Sequence, residues 1–580
     1  MSRISLKVVG AQGQGINSVG EMCAKGLKRA GYCVFGYREY MSLIKGGHSS
    51  YQLDVSDTPM LSSQTSVDIV ITFNHHGLEK NIREMNERGI VIHQTSDWEF
   101  SEEDALFVAK KKITVLHLPT EDILGKIKAK PILGNVLITS VVWALLGQQK
   151  DVLEDLVREQ FGHKKDLLAL NIQCIEEGFV FAARHKGALK AALPKADPAW
   201  SKHLLVTGSQ AMGLGAVHAG VRFYSGYPMT PSSPLLTFMA DLQNETGLVI
   251  KQAEDEITAA QIVSGAMFMG TRALTATSGG GFDLMSETLS LNGILENPTV
   301  FVLAQRPGPA TGLPTWTSQG DLLLAVHTAH GEFARCVLTV SDAQDAFDLM
   351  PVAFNIAEKY QISVIVLTDK QVAEALYTQT PYDLGKAKLD RGLLITDPKQ
   401  LKKLQPSDRY DPAAKDGISP RWLPGAEAAT YAAQGDEHDA SGTVEESSAN
   451  TAVQFQKRLK KQEALKKSLP EPELYGAKNP DVLLVGWGST KGPVLDALAM
   501  LGDAKVGYLH YTYLWPLQTD HFKKLHAKAK KTILIEGNYQ GQLGMLLAQE
   551  SGIVLTDKIL KYDGRPFFVD ELIDIFQSKI

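Results

Sequence analysis

The sequence predicts an α/β protein built from three α/β domains. Three observations carry this. Short β-branched runs alternate with stretches of helical spacing, the pattern of strand–helix units. The alternation breaks twice, at 193–199 and at about 405–475, and resumes each time. The length of 580 residues suits several domains at roughly 150 residues each. With 44% hydrophobic and 21% charged residues the chain can fill several cores, which excludes global disorder.

The first domain is expected over 1–192. Ile4–Val9, Asp68–Phe73, Gly89–His93 and Ile113–His117 read as buried strands, and Asn17–Ala30, Ile123–Lys128 and Gly134–Leu146 as helices. The alternation implies a parallel sheet with helices on both faces. Two prolines in Leu193–Ala199 mark a boundary. The second domain, 200–375, has strands at Leu274–Thr277, Thr299–Ala304 and Ser363–Leu367 and a helix at Glu256–Phe268. A connector over 376–475 carries prolines at 406, 412, 420 and 424, a polar tract Gln434–Ala449 and a charged helix Gln454–Lys467. The last domain, 476–580, opens on a strand at 481–486.

Several functions are excluded. Lys plus Arg is 59 against 65 for Asp plus Glu, a net charge of −6, so no nucleic-acid partner is expected. The four cysteines, Cys23, Cys33, Cys174 and Cys336, form no CxxC pair, which argues against a disulfide framework, a metal site or an iron–sulfur cage within this chain. Sparse thiols point to the cytoplasm. The N-terminus is too short and interrupted for a secretion signal, and the longest apolar stretch, Val136–Leu146, falls short of the ~18 residues that span a bilayer. No membrane partner is expected. There is no Walker A sequence, and no Gly-Asp-Gly followed by Asn-Asn, the pair that holds Mg²⁺ and a thiamine pyrophosphate tail.

Five segments are candidates for chemistry. Gly10-Ala-Gln-Gly-Gln-Gly15 lies between a strand and a helix, so Gly13 and Gly15 allow backbone to approach a nucleotide or coenzyme A, or simply make a tight turn. Glu39, 24 residues beyond Gly15, lies near where a ribose-binding acid sits in a dinucleotide fold, although Ser18 replaces the last glycine of that motif. Tyr227-Pro228-Met-Thr230-Pro-Ser-Ser233 presents three hydroxyls on a stiff loop, as an anion site or a Ser helix cap. Glu254-Asp255-Glu256 opens an apolar helix, where acids also favour a first turn by charge alone. Thr277-Ser-Gly279-Gly280-Gly-Phe282 follows a strand and reads as backbone close to a ligand or as a flexible turn, with a helix expected at Leu284–Leu291. Arg306 opens the fifth segment, Gln305–Thr315, at a strand's carboxyl end, suited to a carboxylate or to a surface ion pair.

Together these segments resemble the alpha subunit of 2-oxoacid:ferredoxin oxidoreductases, in the form with a gamma domain fused at the N-terminus, and most of all the 2-oxoglutarate enzymes. The gamma-like part carries Gly10–Gly15, Lys45-Gly-Gly-His48-Ser49 and Gly134-Asn135. The pyrimidine-type thiamine-enzyme domain carries Tyr227–Ser233, Glu254–Glu256, Thr277–Phe282 and Gln305–Thr315. The connector carries Gly435–Asp439. The last domain, similar to the transketolase C-terminal type, carries Gly486–Ser489, Trp515–Leu517 and Glu536–Gln542. Met229 stands where many relatives carry Ile.

The resemblance implies a CoA-dependent conversion of a 2-oxoacid, CoA and oxidised ferredoxin into acyl-CoA, CO₂ and reduced ferredoxin, which low-potential ferredoxin can also run backwards as the CO₂ fixation of a reductive TCA cycle. It implies thiamine pyrophosphate shared with a beta subunit, which brings Mg²⁺ and a [4Fe-4S] cluster, in a dimer of heterodimers. It implies Glu256 as the cofactor-activating acid, and Thr230 with Arg306 on the substrate carboxylate. Tyr227, Pro228, Gly279 and Gly280 would line the cofactor, Gly13 and Gly15 the CoA side, and Lys45 with His48 the distal carboxylate. The alternatives are pyruvate or another 2-oxoacid as substrate, or a noncatalytic partner that binds CoA or a nucleotide.

Overall fold

The computed structural model describes residues 3–43, 45–502 and 505–579. They fall into two compact units. One holds the described residues of Met1–Val206, Ala375–Pro381 and Phe568–Ile580, the other Thr207–Glu374 and Tyr382–Phe567.

The sheet of the first unit runs Thr114–His117, Met85–His93, Val67–Thr72, Arg3–Gln12, Gly46–Ser56, Cys33–Tyr40, Leu376–Gln379 and Leu204–Thr207. Its first four strands are parallel. From Arg3–Gln12 onward the pairing turns antiparallel, so the all-parallel expectation is corrected. Gly46–Ser56 is a strand the sequence expectations leave out; Tyr51, Leu53 and Val55 enter the helix-side core, and Gln52, Asp54 and Ser56 on the other face are buried as well. Asp54 is fully buried and accepts from Arg3 Nε at 3.1 Å and from the Ser5 hydroxyl. Gln52 donates to the Gln64 carbonyl at 2.7 Å. Polar groups satisfied in this way can be buried, so the polar face of this strand does not face solvent.

Both faces of this sheet are covered. Leu6, Val8, Ile69 and Ile90 pack under the helices Ile16–Arg29, Gly134–Leu145 and Lys165–Arg184. Val9, Val70 and Val91 point the other way, toward Leu78 of helix His75–Asn81. Helix Gly134–Leu145 holds the apolar run and is buried along most of its length. Among the described residues no single helix is long and apolar enough to cross a membrane. The bent pair Thr120–Lys126 and Pro131–Leu145, turned through 115°, meets that test only jointly.

The second unit contains two sheets. The larger runs Tyr513–Trp515, Arg335–Thr339, Ser363–Asp369, Thr299–Gln305, Ala273–Thr277, Phe223–Gly226 and Val249–Gln252. All neighbours are parallel except the first pair. The smaller runs Glu473–Gly476, Val506–Tyr511, Val482–Trp487, Lys531–Glu536 and Lys558–Leu560. One apolar cluster joins them, with Phe282, Phe301 and Ile365 from around the first and Leu483, Trp487 and Leu534 from the second. The grouping therefore departs from the chain-order domains. Leu376–Gln379 and helix Val569–Lys579 belong to the first unit, because strand pairing with Cys33–Tyr40 and the burial of an apolar helix face, not chain order, set the grouping.

The connector is strapped to the second unit by buried charge. Arg409 donates to the carbonyls of Leu295 at 3.0 Å and Glu296 at 3.1 Å. The Glu296 carboxylate takes Lys457 at 2.6 Å and also Lys461, all three buried. Glu358, also buried, pairs with Arg272 and Arg391 at 2.7 Å and with Arg421 at 3.3 Å. Buried ions persist only when paired, so these contacts hold a polar segment in one conformation.

Candidate functional site

Three adjacent parallel strands of the larger sheet end at Gly226, Thr277 and Gln305. Their carboxyl ends send out the 227–233 loop, the glycine run and Arg306, so side chains far apart in sequence meet at one sheet edge, where open α/β sheets bind ligands. The glycine run is itself helical. Gly279–Leu284 is one helix and Ser286–Leu295 the next, which removes the flexible-turn alternative and corrects the expected helix at Leu284–Leu291.

The three carboxylates at 254–256 divide by role. Glu254 is exposed and 3.9 Å from Lys251. Asp255 is the helix cap, accepting the Thr258 N–H at 2.7 Å. Only Glu256 is buried, at 4% exposure, and its Oε1 has no hydrogen-bond partner among the described residues. A buried acceptor left unpaired costs about 1–3 kcal/mol, so it stands ready for a donor from a ligand. A Cβ at Gly281 would lie 2.8 Å from that Oε1 and 2.0 Å from Thr277 Oγ1, so glycine keeps this corner open. Thr277 Oγ1 is 3.9 Å from Met229 Sδ, which brings the 227–233 loop beside the same corner.

Arg306 Nη1 donates to the Thr230 carbonyl at 2.7 Å, joining the two expected carboxylate ligands. Arg306 is half-buried and has no ion-pair partner within 4.0 Å among the described residues. Burial lowers its pKa, and Asp321 acts against that. Asp321 is pushed up to about 6, first by burial and then by Asp283, with Arg306 opposing. Tyr227, Pro228 and Gly280 are exposed around the corner, and a Cβ at Gly280 would meet nothing within 4 Å. A Cβ at Gly279 would lie 2.8 Å from Asp321 Oδ2.

The remaining candidates lie in the first unit. Gly13 and Gly15 have φ of 93° and 95°, and a Cβ at Gly15 would lie 2.3 Å from the Asn135 side chain. Lys45 and His48 are at the same end of the sheet, since Gln12 pairs with Gly46 and Ala11 with His48. Lys45 is exposed. His48 is buried, which lowers its pKa to about 4, so it is a neutral hydrogen-bonding group rather than a cation. Glu39 lies on Cys33–Tyr40, which Gly46–Ser56 separates from Arg3–Gln12. A dinucleotide fold needs that acid on a strand parallel to the first and next to it, and here an antiparallel strand lies between the two.

Two family profiles match the chain: the pyruvate flavodoxin/ferredoxin oxidoreductase thiamine diphosphate-binding domain over 214–457, and the pyruvate ferredoxin/flavodoxin oxidoreductase domain over 5–181. The 2-oxoacid:ferredoxin oxidoreductase subunit alpha of a Sulfolobus species is 32% identical, across 98% of this chain and 96% of its own. This chain belongs to the 2-oxoacid:ferredoxin oxidoreductase alpha-subunit family. The 2-oxoglutarate oxidoreductase subunit KorA of Mycobacterium tuberculosis is 27% identical, across 91% of this chain and 83% of its own. A solved 2-oxoglutarate:ferredoxin oxidoreductase from Magnetococcus marinus, with 2-oxoglutarate, coenzyme A and succinyl-CoA bound, superposes with a TM-score of 0.91 at 29% identity. The match spans 100% of this chain and 99% of that one.

Within this alpha-subunit family member, the C-terminal motifs act on the fold. Glu536 accepts from Trp487 Nε1 at 2.7 Å and from the Leu543 N–H at 3.0 Å. Gln319 donates to the Trp487 carbonyl and accepts from the Gly537 N–H, both at 2.7 Å, which fixes the segment after Arg306 onto the smaller sheet. In the connector motif, Glu437 forms a two-armed pair with Arg458 at 2.9 and 2.7 Å. Sequence reasoning missed Gly281 and Asp321 as site residues. Gly281 sat inside a quoted glycine run, whereas no pattern marks Asp321, whose place depends on how the 306–320 segment folds back.

Proposed function

We propose that this chain is the alpha subunit of a CoA-dependent 2-oxoglutarate:ferredoxin oxidoreductase, interconverting 2-oxoglutarate, CoA and oxidised ferredoxin with succinyl-CoA, CO₂ and two reduced ferredoxins. The observation that carries this reading is the buried, unpartnered Oε1 of Glu256 behind the space that Gly281 leaves free. Those residues fit the aminopyrimidine end of thiamine diphosphate: one acid facing a ring nitrogen, in a corner that any larger residue would close. When bound, thiamine diphosphate supplies the carbon that takes the keto group and holds the electron pair left by CO₂. Glu256 holds the proton that sets the ring's tautomer. Gly279, Gly280, Tyr227 and Pro228 shape the walls around it.

Arg306 and the Thr230 hydroxyl hold the carboxylate next to the keto group, a planar cationic fork and a donor on a loop that Arg306 itself braces. Gly13 and Gly15 serve the CoA side, and Lys45 with His48 serve the distal carboxylate, Lys45 by charge and His48 as a neutral partner. A beta subunit supplies Mg²⁺ and a [4Fe-4S] cluster that passes single electrons to ferredoxin, in a cytoplasmic dimer of heterodimers. Low-potential ferredoxin would drive the cycle toward CO₂ fixation. The family profiles bear pyruvate in their names, which makes pyruvate the second reading. Steady-state kinetics of the assembled complex decides: a kcat/KM for pyruvate equal to or above that for 2-oxoglutarate overturns the substrate and keeps the family. Turnover by the isolated chain would overturn the need for a beta subunit.

A further inference from the structure

Asp321 acts on Arg306 by charge, and its surroundings fix it in place. Its N–H is bound by Gln305 Oε1 at 3.0 Å, while Gln305 Nε2 donates to the Thr368 carbonyl at 3.2 Å. The preceding Gly320 carbonyl accepts from Gln542 Nε2 at 2.8 Å. The Asp321 Oδ2 is buried with no hydrogen-bond partner among the described residues, and a Cβ at Gly279 would lie 2.8 Å from it. The charged groups acting on it are Asp283, on the glycine-run helix, and Arg306. The cluster is thus two acids and one arginine that forms no ion pair within 4.0 Å among the described residues, with one carboxylate oxygen, Asp321 Oδ2, that no donor among them satisfies.

We propose that Asp321 is a positioning residue that couples binding of the substrate carboxylate at Arg306 to the uptake of one proton from solvent. The inference rests on the reading of Arg306 given above. Ionised Asp321 offsets the charge that Arg306 presents and repels an incoming anion. Protonated Asp321 leaves Arg306 its full charge and gains a donor. An added carboxylate beside Arg306 disfavours the ionised form of its neighbour, so substrate raises the Asp321 pKa and protonation tightens substrate by the same factor. Free Asp321 titrates at about 6. Affinity is therefore full below that pH and falls as pH rises through it, until the higher pKa of the complex is reached. Within that window the fall is up to about tenfold per pH unit for one proton.

The test uses the assembled complex with its beta subunit and measures KM and kcat for 2-oxoglutarate between about pH 5 and pH 8.5. The expected result is a KM that climbs above about pH 6 in the native complex and stays flat in Asp321→Asn, which at pH 8 has a KM several-fold lower. Asp321→Ser repeats the measurement without the isosteric amide and should flatten the profile too. A native KM independent of pH overturns the proposal, and so does a slope that survives in either variant. Arg306→Ala separates the two readings. An unchanged KM there removes the carboxylate role of Arg306 itself. A raised KM there, with the slope retained in Asp321→Asn, removes only the proton coupling.

Discussion

Replacing Gly281 with alanine isolates the corner where Glu256 waits. Gly281 lies in a helix with no positive φ, so alanine meets no backbone strain and by helix propensity alone would stabilise the chain by about 1 kcal/mol. Sterics oppose this. The added methyl would lie 2.0 Å from Thr277 Oγ1 and 2.8 Å from both Cγ and Oε1 of Glu256. Thr277 is buried on a central strand and β-branched, so it cannot swing aside freely. Overpacking of this kind costs about 1–3 kcal/mol, which outweighs or cancels the propensity gain and leaves a net loss of about 0–2 kcal/mol. The larger effect falls on Glu256, whose carboxylate must move, and a displacement near 1 Å costs on the order of 10²-fold in rate. Thermal melts and kcat at saturating thiamine diphosphate read the two effects separately. Adding Thr277→Ala relieves the tighter overlap, so stability should return while kcat stays low. A Gly281→Ala complex with native kcat would refute the placement of Glu256 at the reacting centre.

Further outcomes follow from the same geometry. Glu256→Gln should lower kcat by about 10²–10⁴-fold, and near-normal exchange of the cofactor C2 proton in that variant would remove Glu256 from the role. Arg306→Ala should weaken 2-oxoglutarate and pyruvate alike, by about 2–4 kcal/mol in kcat/KM, and Thr230→Ala should do so to a smaller degree; a changed ratio between the two acids would contradict an anchor on the shared carboxylate. Glu296→Gln strands Lys457 and Lys461 without a counter-charge and should cost about 3–5 kcal/mol, read as a shift of the denaturant midpoint; an unchanged midpoint would show that the strap does not depend on this ion cluster. Those lysines hold the Glu296 carboxyl well below the usual carboxylate range. Its contribution is therefore present above about pH 4.3, the unfolded value, and is lost as pH falls below it; a midpoint flat between about pH 6 and pH 3 would oppose this.

Much of the site was legible because its signals are local. Prolines around Thr230, the glycine run and an acid opening an apolar helix need only a few residues each to be seen, and the strand ends at Thr277 and Gln305 follow from short apolar runs. The alternation of Tyr51, Leu53 and Val55 with Gln52, Asp54 and Ser56 marks a strand, but not its antiparallel place in the first sheet, and Asp54 and Gln52 look like surface residues until Arg3, Ser5 and the Gln64 carbonyl are known to face them. The connector read as a linker because Lys457, Lys461 and Arg409 are charged, and charge reads as exposure. The sequence by itself determined the α/β class, the strand–loop–helix units and the residue types that ligand chemistry requires. Only the tertiary structure decided which of three neighbouring carboxylates is buried, that Arg306 braces the Thr230 loop, that Asp321 lies within reach of both Gly279 and the charge of Arg306, and that Leu376–Gln379 joins the first sheet. The physical reason is that burial and electrostatic environment are set by contacts between strands far apart in the chain, whereas secondary-structure propensity and turn chemistry act over a few residues.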